Sequence, residues 1–385
     1  MCRALFVFLL CATGGVAAPA AELARVPARD EVVETQLLPS AVKQSVQRLA
    51  GVKPGTALAT EFTPPQRIDG ARRLIDAGRA NGDPRTLGYA ESLLAGMPDD
   101  GPIGVNVLVL RATIEQNQHR FDAARELLDR AVAQSPAHIQ ARLTRATIAH
   151  VRGDMAGARS DCDALRAVAP EVATVCRAIG DSLTGRNLEA LAALKSVAAS
   201  GTPTLRSWAL SVAGEVYEQQ NDLDAAVRSY ATAVTTADDL YTRIALSDAL
   251  IAQQRWQPAE AMLAQLPPTD TVLVRRFIVM KRLNKDAAAL QTQLTERFAA
   301  AQARGEFLHA REAATFALEQ NDVATALRLA RENWKNQREP ADLLLLARAA
   351  RAANDAAALA DIREWIARTG LADVRVERAL KADKR

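Results

Sequence analysis

Ser207-Trp-Ala-Leu-Ser-Val-Ala-Gly-Glu-Val-Tyr-Glu-Gln-Gln-Asn-Asp222 and the stretch after it, Leu223-Asp-Ala-Ala-Val-Arg-Ser-Tyr-Ala-Thr-Ala-Val-Thr-Thr-Ala-Asp238, read as two helices joined by a tight turn. Asn221-Asp222 supplies the turn, because asparagine tolerates the αL conformation that ends a helix and aspartate caps the next one. The arrangement recurs along the chain. Small residues stand at comparable places at Ala124, Ala158, Ala190, Ala226, Ala259, Ala289 and Ala326, in steps of 34, 32, 36, 33, 30 and 37 residues. Turn residues precede them on the same beat, at Gly153-Asp154, Gly185-Arg-Asn187, Asn284-Lys-Asp286 and Asn321-Asp322, with a further one at Asn354-Asp355. Pro136 and Pro170, also 34 apart, mark where the second helix of a unit should stop.

A two-helix repeat of about 34 residues is the period of the tetratricopeptide family, and the chain resembles that family over roughly residues 67 to 370. Ser207 to Asp238 matches best, through Trp208, Gly214, Tyr217, Asn221-Asp222, Ala226, Tyr230 and Ala233. Val105 to Ala137 and Ile139 to Glu171 follow, whereas Ala71 to Pro98 and Thr269 to Ala303 are degenerate. The resemblance implies an all-α superhelical solenoid of about eight helix-turn-helix repeats, whose hairpins bury their apolar faces by stacking. It also places the closest helix approach at Gly214 and Ala226, with Tyr217 and Tyr230 filling the groove beside them. A non-repetitive helical bundle is the alternative fold.

Composition agrees. Of 385 residues, 49% are hydrophobic and 24% charged, which excludes a globally disordered chain. Aromatics supply only 4% and alanine about a fifth, which suits closely packed helices and not a β-sandwich. A net charge of +3 is too small to imply nucleic-acid binding.

Residues 1–20 read as a secretory signal: Arg3, an apolar run from Ala4 to Ala12, and Ala18-Pro19-Ala20, with cleavage after Ala20. The expected location is therefore periplasmic or secreted. A hydrophobic N-terminus on a cytosolic protein is one alternative. A lipoprotein anchored at Cys11 is another, although bulky Leu10 before that cysteine fits such processing badly. Residues 21–66 form a proline-rich arm around one short amphipathic stretch, Ala41 to Leu49. Residues 371–385 read as a capping helix, Leu371 to Leu380, running into the basic tail Lys381-Ala-Asp-Lys-Arg385.

Two segments, Arg29-Asp-Glu-Val-Val-Glu-Thr-Gln-Leu-Leu-Pro39 and Asn333-Trp-Lys-Asn-Gln-Arg-Glu-Pro-Ala-Asp342, resemble parts of a family of exported proteobacterial repeat proteins. Some of its members are encoded beside a metal-permease-like membrane protein of the hydrogenase or urease accessory type. The resemblance supports export and brings no active site.

Cys2 and Cys11 would leave with the signal, so the mature chain keeps Cys162 and Cys176. Their midpoint, residue 169, falls beside Pro170 at a presumed turn, and residues equidistant from a turn lie at the same height in an antiparallel hairpin. A structural disulfide is the expectation in an oxidising compartment. Two buried free thiols are the alternative.

Chemistry is otherwise sparse. Gly180-Asp-Ser-Leu183 spells the opening block of one esterase family, but it falls in a helix, and no histidine has the Asp-x-x-His context of that family's base. His119, His138, His150 and His309 are scattered without metal-ligand spacing, and His119 is expected to be solvated in a turn. No phosphate-binding loop is present, so no cofactor and no metal are expected.

In the tetratricopeptide family, first helices line the concave face. By register that face carries Gln140, Thr147, His150, Trp208, Ser211, Glu215, Glu218, Tyr241, Arg311, Thr315 and Glu319, with Trp208 as the best single anchor. These residues do not repeat the Lys/Asn/Arg set with which some members clamp a C-terminal carboxylate, so an acidic-terminus ligand is not favoured. The reading is a non-catalytic exported scaffold or adaptor for a protein or peptide, with no nucleic acid and no small-molecule substrate. Two other readings stay open. One is a membrane-docked envelope assembly or accessory factor. The other is a hydrolase-like enzyme, which requires Ser182 for activity.

Overall fold

A computed structural model describes residues 62–81, 83, 85–305 and 308–381. The expected signal, the arm as far as residue 61 with its stretch Ala41 to Leu49, Cys11 and the last four residues of the basic tail lie outside the described residues.

Among the described residues there are 19 helices. They run α1 (Pro64–Asn81), α2 (Arg85–Leu94), α3 (Gly101–Asn117), α4 (Phe121–Gln134), α5 (Ile139–Arg152), α6 (Met155–Ala164), α7 (Pro170–Leu183), α8 (Asn187–Ser200), α9 (Pro203–Gln219) and α10 (Leu223–Thr236). There follow α11 (Leu240–Ala252), α12 (Trp256–Leu263), α13 (Asp270–Arg282), α14 (Ala288–Ala303), α15 (Ala310–Glu319), α16 (Val323–Asn336), α17 (Pro340–Ala352), α18 (Ala356–Thr369) and α19 (Val374–Leu380). From α1 to α18 they pair as successive antiparallel hairpins, each packed on the next.

One local device makes eight of the hairpin turns. A residue in the αL region (His119, Gly153, Gly185, Asn221, Gln254, Asn284, Asn321 or Asn354) is followed by a residue whose N–H donates to the carbonyl five positions back, at 2.8–2.9 Å. This bond satisfies a carbonyl that the ending helix leaves unpaired. At Asp154, Asp222, Asp322 and Asp355 the side chain then accepts from the N–H three residues on, capping the second helix.

The marker alanine is the fourth residue of the second helix in six hairpins, and Ala124, Ala158, Ala190, Ala226, Ala259 and Ala326 are fully buried. Ala289 departs from the series. Its turn is longer, α14 begins only at Ala288, Ala289 is exposed, and Leu294 is the helix's buried residue. Pro170 is the first residue of α7 and so starts a helix, a position where its missing N–H costs nothing. Cys162 on α6 and Cys176 on α7 are both buried and lie within disulfide distance, with Cα atoms 5.5 Å apart.

The repeat signature did not announce that the solenoid closes on itself. A single hydrophobic core joins residues between Leu143 and Val216 to residues between Ala313 and Val376. The Arg338 N–H donates to the Val151 carbonyl at 2.8 Å, and the Ala372 N–H to the Leu183 carbonyl at 3.0 Å. Both acceptors belong to the last turns of first helices, which lack intrahelical donors. Trp365 packs against Gly153 and has Trp334 edge-on at 5.3 Å, with the Arg338 and Arg368 guanidinium groups over its ring.

His119 joins this closure, contrary to the solvated position expected for it. Its ring stacks on Phe121, and the Gln337 amide nitrogen stands 2.6 Å from Nδ1. Burial pushes its pKa down, so the imidazole is neutral. On another side, α1 lies against α11.

Candidate functional site

The first helices α9, α11, α13, α15 and α17 line one cavity of about 1180 Å³, with side chains of α19 between α17 and α9. That exceeds the roughly 300–1,000 Å³ of ordinary small-molecule pockets. Helix α19 packs on α17, and Arg375 on α19 reaches Glu218 on α9 at 3.5 Å while Asp373 holds the same guanidinium at 2.8 Å.

The hairpin of α9 and α10 shows how the wall is built. Gly214 lies directly under the ring of Tyr230, closer than the neighbouring position expected for that tyrosine. Tyr230 is fully buried, and its hydroxyl donates to Glu218 Oε2 at 2.9 Å. Gly214 packed under Tyr230, in a hairpin whose turn geometry recurs along the chain, makes the fold clear. The fold is a tetratricopeptide-type α-solenoid.

No protein-family model matches the chain, and neither does any curated protein. Solved structures similar to this repeat protein include Pseudomonas aeruginosa PilF, at 15% identity and a TM-score of 0.39, covering 53% of this chain and 96% of that one. A tetratricopeptide repeat protein from Parabacteroides merdae is also 15% identical with a TM-score of 0.39, covering 72% of this chain and 97% of that one. A chain of the APC/C heterotetramer Cut9–Hcn1 is 12% identical with a TM-score of 0.38, covering 80% and 74% respectively.

Charges in the solenoid's cavity are paired with care. Asp248 receives both Arg275 Nε and Nη2 at 2.6 Å. Arg311 holds Asp342 through two bonds, of 2.6 and 2.8 Å, and Glu339 at 2.8 Å. Asn333 donates to the same buried Asp342 at 2.6 Å, so the segment Asn333 to Asp342 ties the cavity to the closure. Tyr241 donates to Glu215 at 2.6 Å, Thr271 to Glu312 at 3.0 Å, and Arg282 pairs with Glu319 at 3.0 Å. Burial pushes the Glu218 carboxyl up to about 7, and Asp248 and Glu215 add to it; Arg375 and the Tyr230 hydroxyl oppose the shift without cancelling it.

Other residues break the pattern. Arg348, on α17, and Arg378, on α19, are exposed and make no side-chain hydrogen bond or ion pair among the described residues. Gln219, at the end of α9, is only 2% exposed, and its Oε1 has no hydrogen-bond partner.

Of the residues expected on the concave face, Glu215, Glu218, Tyr241, Arg311, Thr315 and Glu319 line this cavity. Thr147, His150, Trp208 and Ser211 are instead buried, and Trp208 is packed in the closure core, so none presents an open surface. Gln140 is half-buried and donates to Thr144 at 2.9 Å, away from the cavity lining. Trp208 packs in the core that joins the earlier repeats to the returning C-terminal helices, and the Ser211 hydroxyl lies 3.1 Å from that of Thr242 on the neighbouring first helix.

Arg348, Arg375, Asp248, Arg275 and Gln219 escaped the sequence reading. Arg348 shares a helical face with Leu344 and Leu345, a signal present in the register, whereas α19 lies outside the repeat and offers no register at all. Ser182 is buried, with its hydroxyl donating to the Ile179 carbonyl at 2.9 Å. Among the described residues no group of three or more His, Cys, Asp and Glu is placed to hold a metal, and no helix is long and apolar enough to cross a membrane.

Proposed function

We propose that the protein is a non-catalytic exported scaffold that holds a segment of another protein in the cavity ringed by α9, α11, α13, α15 and α17. The carrying observation is the cavity itself: it is larger than a metabolite needs and is walled by a mixture of ion pairs and aliphatic side chains such as Ile244, Ile251 and Leu344. Such a lining suits a peptide, which brings backbone amides and side chains of both kinds. No catalytic role is assigned to Ser182, whose hydroxyl is committed to its own helix. Export removes residues 1–20, and Cys162 and Cys176 form a structural disulfide in the oxidising compartment reached.

A photo-cross-linker at Tyr241, inside the cavity, tests this against one at Leu188, which is 80% exposed. In the envelope fraction, the Tyr241 probe should capture one partner that the Leu188 probe does not. Equal capture at both positions, or none at Tyr241, would sink the proposal. The mature N-terminus should be Ala21; a lipidated Cys11 in the membrane fraction would move the protein to a docked accessory role.

A further inference from the structure

The wall of the cavity runs full circle. Helices α9, α11, α13, α15 and α17 follow one another round it, and α19 fills the space back to α9, where Arg375 meets Glu218 at 3.5 Å. A free chain end could thread such a ring. A segment in the interior of a folded partner's chain could not, so the wall has to part for it. The two ends of the wall meet in a way that permits this. No helix from α4 to α9 packs along one from α15 to α19. What crosses the seam comes from three successive hairpin turns. His119 reaches Gln337, Gly153 lies against Trp365 beside the bond from the Arg338 N–H to the Val151 carbonyl, and Gly185 faces Ala372, whose N–H bonds the Leu183 carbonyl. Both carbonyls belong to helix ends that water serves equally well once the seam is open. The apolar core behind these turns draws the seam shut.

Midway round the ring from that seam, between α13 and α15, the solenoid is thinly packed. The helix that joins them, α14, has 16 residues and buries only Leu294, whereas α4 and α16, of 14 residues each, bury five. Leu294 belongs to a small core of its own with Leu273, Val274, Phe277 and Phe316, set between the core of α10 to α13 and the closure core. A stack of helices bends where its packing is weakest. Resting on the scaffold reading above, we infer that the ring is a clamp. It bends at α14, parts between α19 and the turns at Gly153 and Gly185, admits an internal segment of the partner sideways, and shuts on it as the closure core re-forms. Helices α17 and α19 are cavity wall and, through Arg338 and Ala372 at their entries, also seam. A segment that touches both therefore favours the shut state, and the shut ring holds the segment.

The test locks the seam. A Cβ added at Gly185 would lie 3.3 Å from the Cβ of Ala372, close to the span of a disulfide. Gly185 has a positive φ of +83°, a conformation that His119, Asn221 and Gln254 also adopt in their turns. The full mature chain carrying Gly185→Cys and Ala372→Cys, oxidised, is compared with Gly185→Cys alone, which has the same backbone strain and no lock. The first readout needs no partner. In the unsubstituted mature chain, the Arg338 amide should exchange roughly tenfold faster, or more, than amides inside α9 and α10. The lock should slow it by roughly tenfold or more, together with amides of α14 across the ring. Arg338 exchanging no faster than α10, or unaltered by a lock that thiol titration shows to be formed, would overturn the clamp; α14 amides untouched by that lock would overturn the hinge. The second readout is the photo-cross-linker at Tyr241 in the envelope fraction. The unlocked chain should capture its partner roughly tenfold faster than the locked one, and equal capture would keep the scaffold and remove the clamp. Lock-sensitive exchange at Arg338 with no capture by either chain would keep the moving seam and remove the scaffold reading.

Discussion

Replacing Gly214 with alanine isolates the contact on which the best-matched hairpin depends. The new Cβ would lie 2.5 Å from Cε1, 2.6 Å from Cδ1 and 2.7 Å from Cζ of Tyr230. Carbon atoms normally meet at about 3.5–4.0 Å, so the ring must retreat by about 1 Å. It has nowhere to go, since Tyr230 is fully buried and its hydroxyl is anchored to Glu218 at 2.9 Å. Over-packing of this kind costs about 1–3 kcal/mol, and losing the hydroxyl's bond adds about 1 kcal/mol. Alanine returns about 1 kcal/mol through helix propensity. The expected net destabilisation is therefore about 1–3 kcal/mol, read from urea unfolding followed by circular dichroism. In a Tyr230→Leu background the clash is gone, and the same substitution should be neutral or stabilising by up to about 1 kcal/mol. A neutral or stabilising Gly214→Ala in the wild-type background, or an equal cost in both backgrounds, would refute the packing argument.

Glu218 makes stability depend on pH: its pKa is raised from 4.5 to about 7 on folding, so the folded state holds a proton that the unfolded state releases. Stability should fall as pH rises from about 4.5 to about 7, by up to about 3 kcal/mol, and Glu218→Gln should flatten that stretch of the profile measured by urea titration at several pH values. The joint change of Cys162 and Cys176 to alanine should lower stability by roughly 3 kcal/mol for a 14-residue separation. Thiol titration of the unfolded mature protein without reductant should find no free thiol, and two would contradict the pairing. Gly153 sits at φ +78° with its absent Cβ 2.5 Å from Trp365 Cζ2, so Gly153→Ala should loosen the closure. Amide exchange should then quicken at Arg338 and Ala372 and stay unchanged in α3 and α4; protection retained at both amides would count against the latch.

The sequence by itself determined what is local. An αL residue, an aspartate cap and an alanine four positions into the next helix lie within a few residues of one another, so each hairpin can be read without its neighbours. The nearness of Cys162 to Cys176 followed from the same locality, because height in a hairpin depends only on distance from its turn. Where the local marker slipped, at the longer turn before Ala289, the reading slipped with it.

Tertiary structure alone decided where the inward faces end up. The rotation between repeats is small, and it accumulates over many hairpins into curvature that no single repeat encodes. Here it brings Gln337 to His119 across 218 positions and Lys335 to Arg152 across 183. Hence Trp208 is core where a surface anchor was expected, and His119 is half-buried against Gln337 and Phe121 where a solvated turn was expected. The same accumulated curvature sets Arg375 on α19 against Glu218 on α9, closing one charged cavity between helices far apart in the chain.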